Sequence, residues 1–331
     1  MAYMTDLAPS QANLVVDVLS RHWRIKVSAI RTRFGVSRAT WRVGQFYWLA
    51  QAEHVRFTDL SRQAKLLTPL NQYLKTERIP LSIPEIIASQ AGDVLVDAAG
   101  YVWCLTHHLP CFHPAVDDAG VYPALTEGLA RFHRIVRAFL NSESLDVPDD
   151  ICVRTRQTID RLTSEAFVAF TSDPREKHIL QSAAAWLLPG LDSLERLPRQ
   201  IVHGDWTSRN VLSQRDDREM HLTGVLDFEA MAWDPACVDV ANTCSTLLMW
   251  SGLDRLEERI EGVVKTYEHS GGVDFEREDI HIAMLAHWFC HYSNWRDRVQ
   301  RGEFGHEVKD RLCFRISSVL SYLANGGGGP H

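Results

Sequence analysis

Apolar positions recur at helical spacing near the start of the chain. Leu14, Val15, Val18 and Leu19 share one face, so residues 10–23 predict an amphipathic helix with Ser10 as its cap. The period then shortens. Arg24–Ile30, Ala39–Val43 and Phe46–Ala50 predict short strands, the last two joined at Gly44-Gln45. A stripe of Leu66, Leu67, Leu70 and Leu74 predicts a helix over 60–74, and Pro80 and Pro84 break the chain after it. Asp93–Val96 and Tyr101–Thr106 predict a hairpin around Ala99-Gly100, followed by a turn-rich connector over 107–120. From there helical patterns dominate, over 123–141, 152–171, 174–195, 235–250, 253–270, 276–300 and 305–324. Short strands at 200–202, 211–213 and 222–226 interrupt them, and a Gly-rich tail, 325–331, is predicted to be disordered.

Strands first and helices afterwards, with one hairpin embedded among the helices, predict a two-lobed α+β fold rather than a doubly wound sheet. The division this implies is a small mixed lobe over 1–108 and a larger, mainly helical lobe over 109–324. Composition adds limits rather than direction. The 331 residues are 45% hydrophobic and 23% charged, ordinary values for a globular protein. The net charge of −7 argues against wholesale nucleic-acid binding. No apolar run approaches the roughly 18 residues of a membrane span, and the N-terminus lacks a signal pattern. The seven cysteines are dispersed, without a Cys-x-x-Cys pair, which fits reduced thiols and a cytoplasmic setting.

The candidate chemistry lies in residues 201–229. IVHGDWTSRNVL is followed by a charged turn and then by GVLDFE. Asp205, four intervening residues, Asn210, and a returning strand that ends in Asp227 form the layout that phosphoryl transfer needs: a carboxylate to accept a hydroxyl proton, and an amide oxygen with a second carboxylate to hold a hard cation. Alone, such a segment could also be a polar turn satisfying its own backbone. A metal-dependent phosphoesterase would need further ligand motifs of the Asp-x-His and Gly-Asn-His kind, and the chain has no Gly-Asn-His. His107, His108 and His113 form one loose histidine group. His281, His287 and His291 form another, in which the i, i+4 pair His287 and His291 has no evident third ligand for zinc. The nearby Trp288, Tyr292 and Trp295 read as packing that could wall a pocket.

These residues resemble the aminoglycoside phosphotransferase and choline kinase-like family, relatives of the protein kinases. The likeness rests on His203-Gly204-Asp205, Asn210, Asp227-Phe228-Glu229 and the WDPACVDVAN of 233–242. It is specific over about 199–245, looser over 60–140 and weak at both ends. The resemblance implies a magnesium-dependent phosphotransferase of the protein-kinase-like fold. It would take ATP or GTP as donor and a small-molecule hydroxyl as acceptor. In that reading Asp205 is the base, Asn210 and Asp227 hold Mg2+, and His203 and Asp239 brace the catalytic loop. Thr106 and Leu109 lie where the connector would read the nucleotide base. Glu229 is a candidate for indirect metal contact or for an acceptor amine, and Asp234 for contact with the acceptor; Asp234, Asp239, Glu257 and Glu258 would suit a cationic acceptor such as an amino alcohol or amino sugar.

The chain departs from the pattern where a kinase-like fold pairs a strand-borne cation with a helix-borne Glu. Ala50 or Gln51 takes the cation's place and Gln63 that of the Glu, while Gly35 stands alone in the loop that should be Gly-rich. One explanation draws phosphate-binding charge from Arg38 or Arg42, within a stretch from Arg21 to Arg42 that holds no acidic residue. Another makes the protein a catalytically silent kinase-like scaffold. A third takes Ile30–Arg42 as the turn and recognition helix of a helix-turn-helix DNA-binding module.

Overall fold

The structure is a computed structural model. It describes residues 4–5, 9–27, 30–34, 39–53, 57–109, 112–114, 120–140, 151–163, 173–215, 220–251, 256–300 and 306–324. The tail expected to be disordered, 325–331, lies outside the described residues, as do Gly35, Arg38 and residues 164–171 of the predicted fourth helix.

The N-terminal part is a helix on an antiparallel sheet. Helix α1 (Pro9–Trp23) precedes strands β2 (Ile30–Phe34), β3 (Ala39–Val43) and β4 (Tyr47–Ala52). After helix α2 (Phe57–Thr76) come β5 (Val96–Ala98) and β6 (Tyr101–His107). With the short β1 (Met4–Thr5) they form one sheet in the order β1-β2-β3-β4-β6-β5. Register explains the layering. Trp41 stands opposite Leu49, and Leu49 opposite Leu105. These side chains share one face and pack with Val15, Val18 and Leu19 of α1 into a separate small core. The alternate residues, Thr40, Arg42, Trp48, Ala50, Cys104 and Thr106, fall on the other face. There Ala52 and Val102 meet Leu60 of α2.

Two expectations need correction here. The first main strand does not span 24–30. Arg24 takes a left-handed conformation (φ 53°) that ends α1, and pairing begins only at Ile30. The helix-turn-helix reading also fails. Ile30–Phe34 and Ala39–Val43 pair antiparallel, Ile30 with Val43 through Phe34 with Ala39, so the recognition helix does not exist. Aromatic and β-branched residues alternating at period two favour that pleated pairing over a helix.

The rest of the described chain packs around one large core. Its helices are α3 (Val121–Leu140), α4 (Ile151–Thr163), α5 (Pro174–Arg196), α6 (Cys237–Ser251), α7 (Leu256–His269), α8 (Arg277–Gln300) and α9 (His306–Ala324). Strands β7 (Arg199–Val202) and β10 (Ala232–Pro235) pair with each other, and β8 (Val211–Arg215) pairs with β9 (Met220–Val225). Strand β10 escaped the sequence reading because four residues beside a proline carry too little periodicity. Among the described residues no helix is long and apolar enough to cross a membrane, and the six described cysteines are free thiols. Cys237 and Cys244 are both fully buried along α6.

Buried polar groups cross-link the helices. Asp173 caps α5, accepting from the Arg175 and Glu176 amides. Glu176, itself buried, takes Lys309 Nζ of α9 at 2.8 Å and the Tyr292 hydroxyl of α8. His281 is different. It is 1% exposed, neither ring nitrogen has a partner among the described residues, and its ring packs on Tyr322. Burial, then the Arg277 charge, pushes its pKa down to about 4. The folded state therefore keeps His281 neutral through a range in which the unfolded chain takes up a proton. The stability this contributes is complete above about pH 6.5 and is lost as the pH falls toward 4, on the order of 3 kcal/mol. Urea unfolding at pH 7 and near pH 4.5 should show a smaller acid loss for His281→Phe than for the natural protein; an equal loss would contradict this assignment.

Candidate active site

The loop between β7 and β8 is held from behind by buried groups. Asp239, at the start of α6 and fully buried, accepts the His203 amide on Oδ2 at 2.7 Å and the Gly204 amide on Oδ1 at 2.8 Å. Its Oδ2 also takes His133 Nε2 of α3 at 2.9 Å. A carboxylate only accepts, so Nε2 carries the His133 proton, and Nδ1 accepts from the Tyr267 hydroxyl at 2.7 Å. Burial lowers the His133 pKa against the pull of Asp239. Helices α3, α6 and α7 thus converge on two backbone amides of one loop. Asp239 braces the loop as the resemblance implied; His133 and Tyr267 were not foreseen. A histidine between Leu129 and Val136 on an otherwise apolar helix face was the signal available.

His203 braces the loop from the front. Its Nε2–H donates to Leu226 O at 2.7 Å, and its Nδ1 accepts the Asp205 amide at 3.3 Å. Both nitrogens are therefore committed to backbone and the ring performs no proton transfer. Gly204 sits at φ +78°, where a Cβ would come within 2.0 Å of Ala230 O. Only glycine allows this close approach to the turn after Asp227. Trp206, fully buried, donates to Leu125 O at 3.0 Å and stacks on Phe132, which fixes the loop's far end.

Asn210 closes the loop. Its Nδ2 lies 2.9 Å from Asp205 O and 2.8 Å from Asp205 Oδ2. Both neighbours are acceptors, so the amide end must face them and Oδ1 must face away. Asn210 O in turn accepts the Leu226 amide at 2.7 Å, which ties the end of β9 to the loop. The next residue, Asp227, has a left-handed backbone (φ 60°, ψ 64°), a conformation that Asp tolerates better than most side chains. Phe228 then inserts into the core, 5.2 Å from the His203 ring and 6.1 Å from Phe132. The sequence-predicted triad of Asp205, Asn210 and Asp227 is therefore joined by one loop and one hairpin end. Burial raises the Asp205 pKa above the usual carboxylate range; His203 and the Asn210 hydrogen bond oppose it, while Glu229 and Asp239 add to it.

The remaining predicted residues divide. Glu229, in the turn Phe228–Ala230, is near enough to Asp205 to perturb it. Asp234 belongs to a different task. It is fully buried and accepts the Ile151 amide at 2.6 Å, at the first residue of α4, so it satisfies a helix N-terminus and does not face an acceptor. With Asp239 spent on the loop, two of the carboxylates read as a cationic-acceptor surface are interior groups. Glu258 is exposed on α7, and the Glu257 side chain lies outside the described residues.

At the connector, Thr106 stands opposite Trp48, and Trp48 opposite Arg42. The Trp48 indole N–H donates to His108 Nδ1 at 2.8 Å, so the proton of His108 sits on Nε2. The 3.4 Å approach of Arg42 Nη2 to that nitrogen sets donor against donor. Desolvation, then the Arg42 cation, holds the His108 pKa down. Arg42 thus stands beside the connector, toward the end of β3 remote from the loop that precedes the strand. The amides of His107 and His108 donate to Glu85 O and Phe46 O, so Leu109 is the first connector residue beyond these ties. Ala50 faces Thr40 and Cys104 across the strands, and Gln63 is buried on α2.

A loop braced through an Asp on the following helix, an Asn locked to the loop Asp, and a left-handed Asp after a hairpin define a kinase-like phosphotransferase site. The family model described as the phosphotransferase enzyme family matches residues 31–279, and the chain belongs to that family. No curated protein matches the chain. Among solved structures it is similar to the wild-type aminoglycoside 2'-phosphotransferase-IIIa in its GDP complex, at 12% identity and a TM-score of 0.64, covering 95% of this chain and 99% of that one. An amicoumacin kinase in complex with AMP-PNP and Ca2+ matches at 13% identity and a TM-score of 0.66, covering 95% and 94%. A microcompartment-associated aminopropanol kinase matches at 15% and 0.61, covering 96% and 98%. At such identities the likeness carries the fold, and the fold is that of the small-molecule kinases. Membership of the family classes the chain as a phosphotransferase.

Proposed function

We propose that the protein transfers the terminal phosphate of ATP or GTP to a hydroxyl of a small molecule, with magnesium at Asn210 and Asp227. The observation that carries this reading is the double hydrogen bond from Asn210 Nδ2 to Asp205, which turns the hard Oδ1 away from Asp205 on a residue tied to the strand end that precedes Asp227. Among the described residues no group of three His, Cys, Asp or Glu is arranged to hold a metal. Two oxygen donors fit a hexacoordinate hard cation that takes its other ligands from phosphates and water. When bound, magnesium supplies neutralisation of phosphate charge. Asp205, in a desolvated position, orients the acceptor hydroxyl and accepts its proton as the new O–P bond forms. The bridging P–O bond of the donor breaks, and the nucleoside diphosphate leaves with that electron pair.

In a thermal-shift titration, ATP or GTP should raise the melting temperature only with magnesium, and Asp227→Ala should lose that increment. A magnesium-independent shift, or its survival in the variant, contradicts the assignment. A second reading, a catalytically silent nucleotide-binding protein, draws support from Ala50 and Gln63 at the cation and Glu positions. Transfer of labelled phosphate, rather than binding, separates the two.

A further inference from the structure

Beside the catalytic loop lies a set of cationic and aromatic side chains that the reaction as described does not use. Arg315, on α9, is half-buried, and its guanidinium carbon lies 4.4 Å over the Trp288 ring of α8. Arg311 stands one helical turn earlier on the same helix. Arg209 is the loop residue immediately before Asn210. Burial, then the Arg311 and Arg209 charges, lowers the Arg315 pKa, so Arg315 feels both cations. Among the described residues, no carboxylate lies within ion-pair distance of Arg315. Trp288 is only 6% exposed, and its indole N–H is buried without a hydrogen-bond partner among the described residues.

The His287 and His291 rings lie with centroids 4.4 Å apart and planes tilted by 50° on the same stretch of α8. Burial and the nearby Arg154 and Arg315 cations hold both rings neutral, His291 at about 4. Arg154 shares Asp234 at 3.5 Å while its own side chain stays 44% exposed. A half-buried arginine with no carboxylate at ion-pair distance carries a desolvation cost that an anionic ligand would offset.

We infer that this patch binds an anionic group, a carboxylate or a phosphate, carried by the hydroxyl acceptor itself. The kinase therefore acts on a hydroxy acid or a phosphorylated polyol, not on an amino alcohol or amino sugar. Arginine forks suit both anions. The inference rests on the phosphotransferase reading for the fate of the hydroxyl, but anion binding can be measured without turnover.

The test is thermal stabilisation of the full chain, without nucleotide, by sugars and triols matched except in charge. Glucuronate, glycerate and glucose 6-phosphate are compared with glucose, glycerol and glucosamine at equal ionic strength. At least one anion should stabilise the protein more than every neutral or cationic member, and the ranking of acid against phosphate identifies the group. Arg315→Gln should weaken that binding roughly 10–100-fold, with partial recovery in Arg315→Lys. Stabilisation by glucosamine above the anions, equal stabilisation by sodium sulfate, or no preference for any anion overturns the inference. The ranking in the natural protein decides the matter even where a variant fails to fold. Loss of the magnesium-nucleotide shift with the anion shift intact would instead count against the phosphotransferase reading alone.

Discussion

Asp205→Ala should lose phosphate transfer by about 10³-fold or more while the protein stays folded. The catalytic part of this expectation follows from position: Asp205 is the carboxylate that Asn210 Nδ2 holds, and it is the one carboxylate between His203 and Asn210 that could take the hydroxyl proton. His203 is excluded because both its ring nitrogens serve backbone groups. The stability part follows from desolvation. Burial already disfavours the Asp205 charge, so removing it relieves a cost. Asn210 Nδ2 keeps Asp205 O as an acceptor, so the loop retains one of its two ties. Turnover against the preferred acceptor, with urea unfolding of the same preparation, checks both parts. Retained turnover contradicts the role, and a large loss of stability would mean that the carboxylate holds the loop rather than the substrate.

Asp239→Ala should have the largest effect on the fold of any single change in the site, about 3–5 kcal/mol. Its carboxylate satisfies two loop amides and the His133 ring, all buried, and alanine would leave all three donors without a partner. Asp239→Asn should cost less. Its single amide oxygen can still accept at the Oδ2 position, although its NH2 then faces the Gly204 amide. Urea midpoints for the two variants give the comparison; a loss below about 1 kcal/mol for alanine would mean that the loop holds its shape without this brace. Turnover should fall with stability, because Asp205 follows directly on the braced His203-Gly204.

The sequence made the site's front legible and hid its back. Asp205, Asn210 and Asp227 could be found because their spacing is local: one loop and one hairpin bring them together, and the strand period before Asp227 marks where it is delivered. His133 and Tyr267 lie 106 and 28 residues in sequence from Asp239, counted from their numbers, and nothing local ties them to it. Helices were found at near their observed ends because long amphipathic stripes average over many residues. The first strand was misplaced because the turn at Arg24, a left-handed residue that is not glycine, carries no sequence mark. Asp234 was misassigned for a similar reason. A carboxylate next to a catalytic motif looks available to a ligand until the N-terminus of α4, more than eighty residues earlier, is seen to occupy it. The arginines of α9 were passed over because the packing of Arg315 on Trp288 of α8 is a tertiary fact.

The missing cation and Glu of the N-terminal sheet keep one question at the centre: whether the braced loop transfers phosphate or only binds nucleotide. The direct measurement is transfer of γ-labelled phosphate from ATP and from GTP to the acceptor panel, across a magnesium titration, in the natural protein and in Asp205→Ala. Label should appear on an acceptor in proportion to magnesium occupancy, and should stay on the nucleotide in the variant. Nucleotide binding with no label transferred to any acceptor at any magnesium concentration would contradict the account.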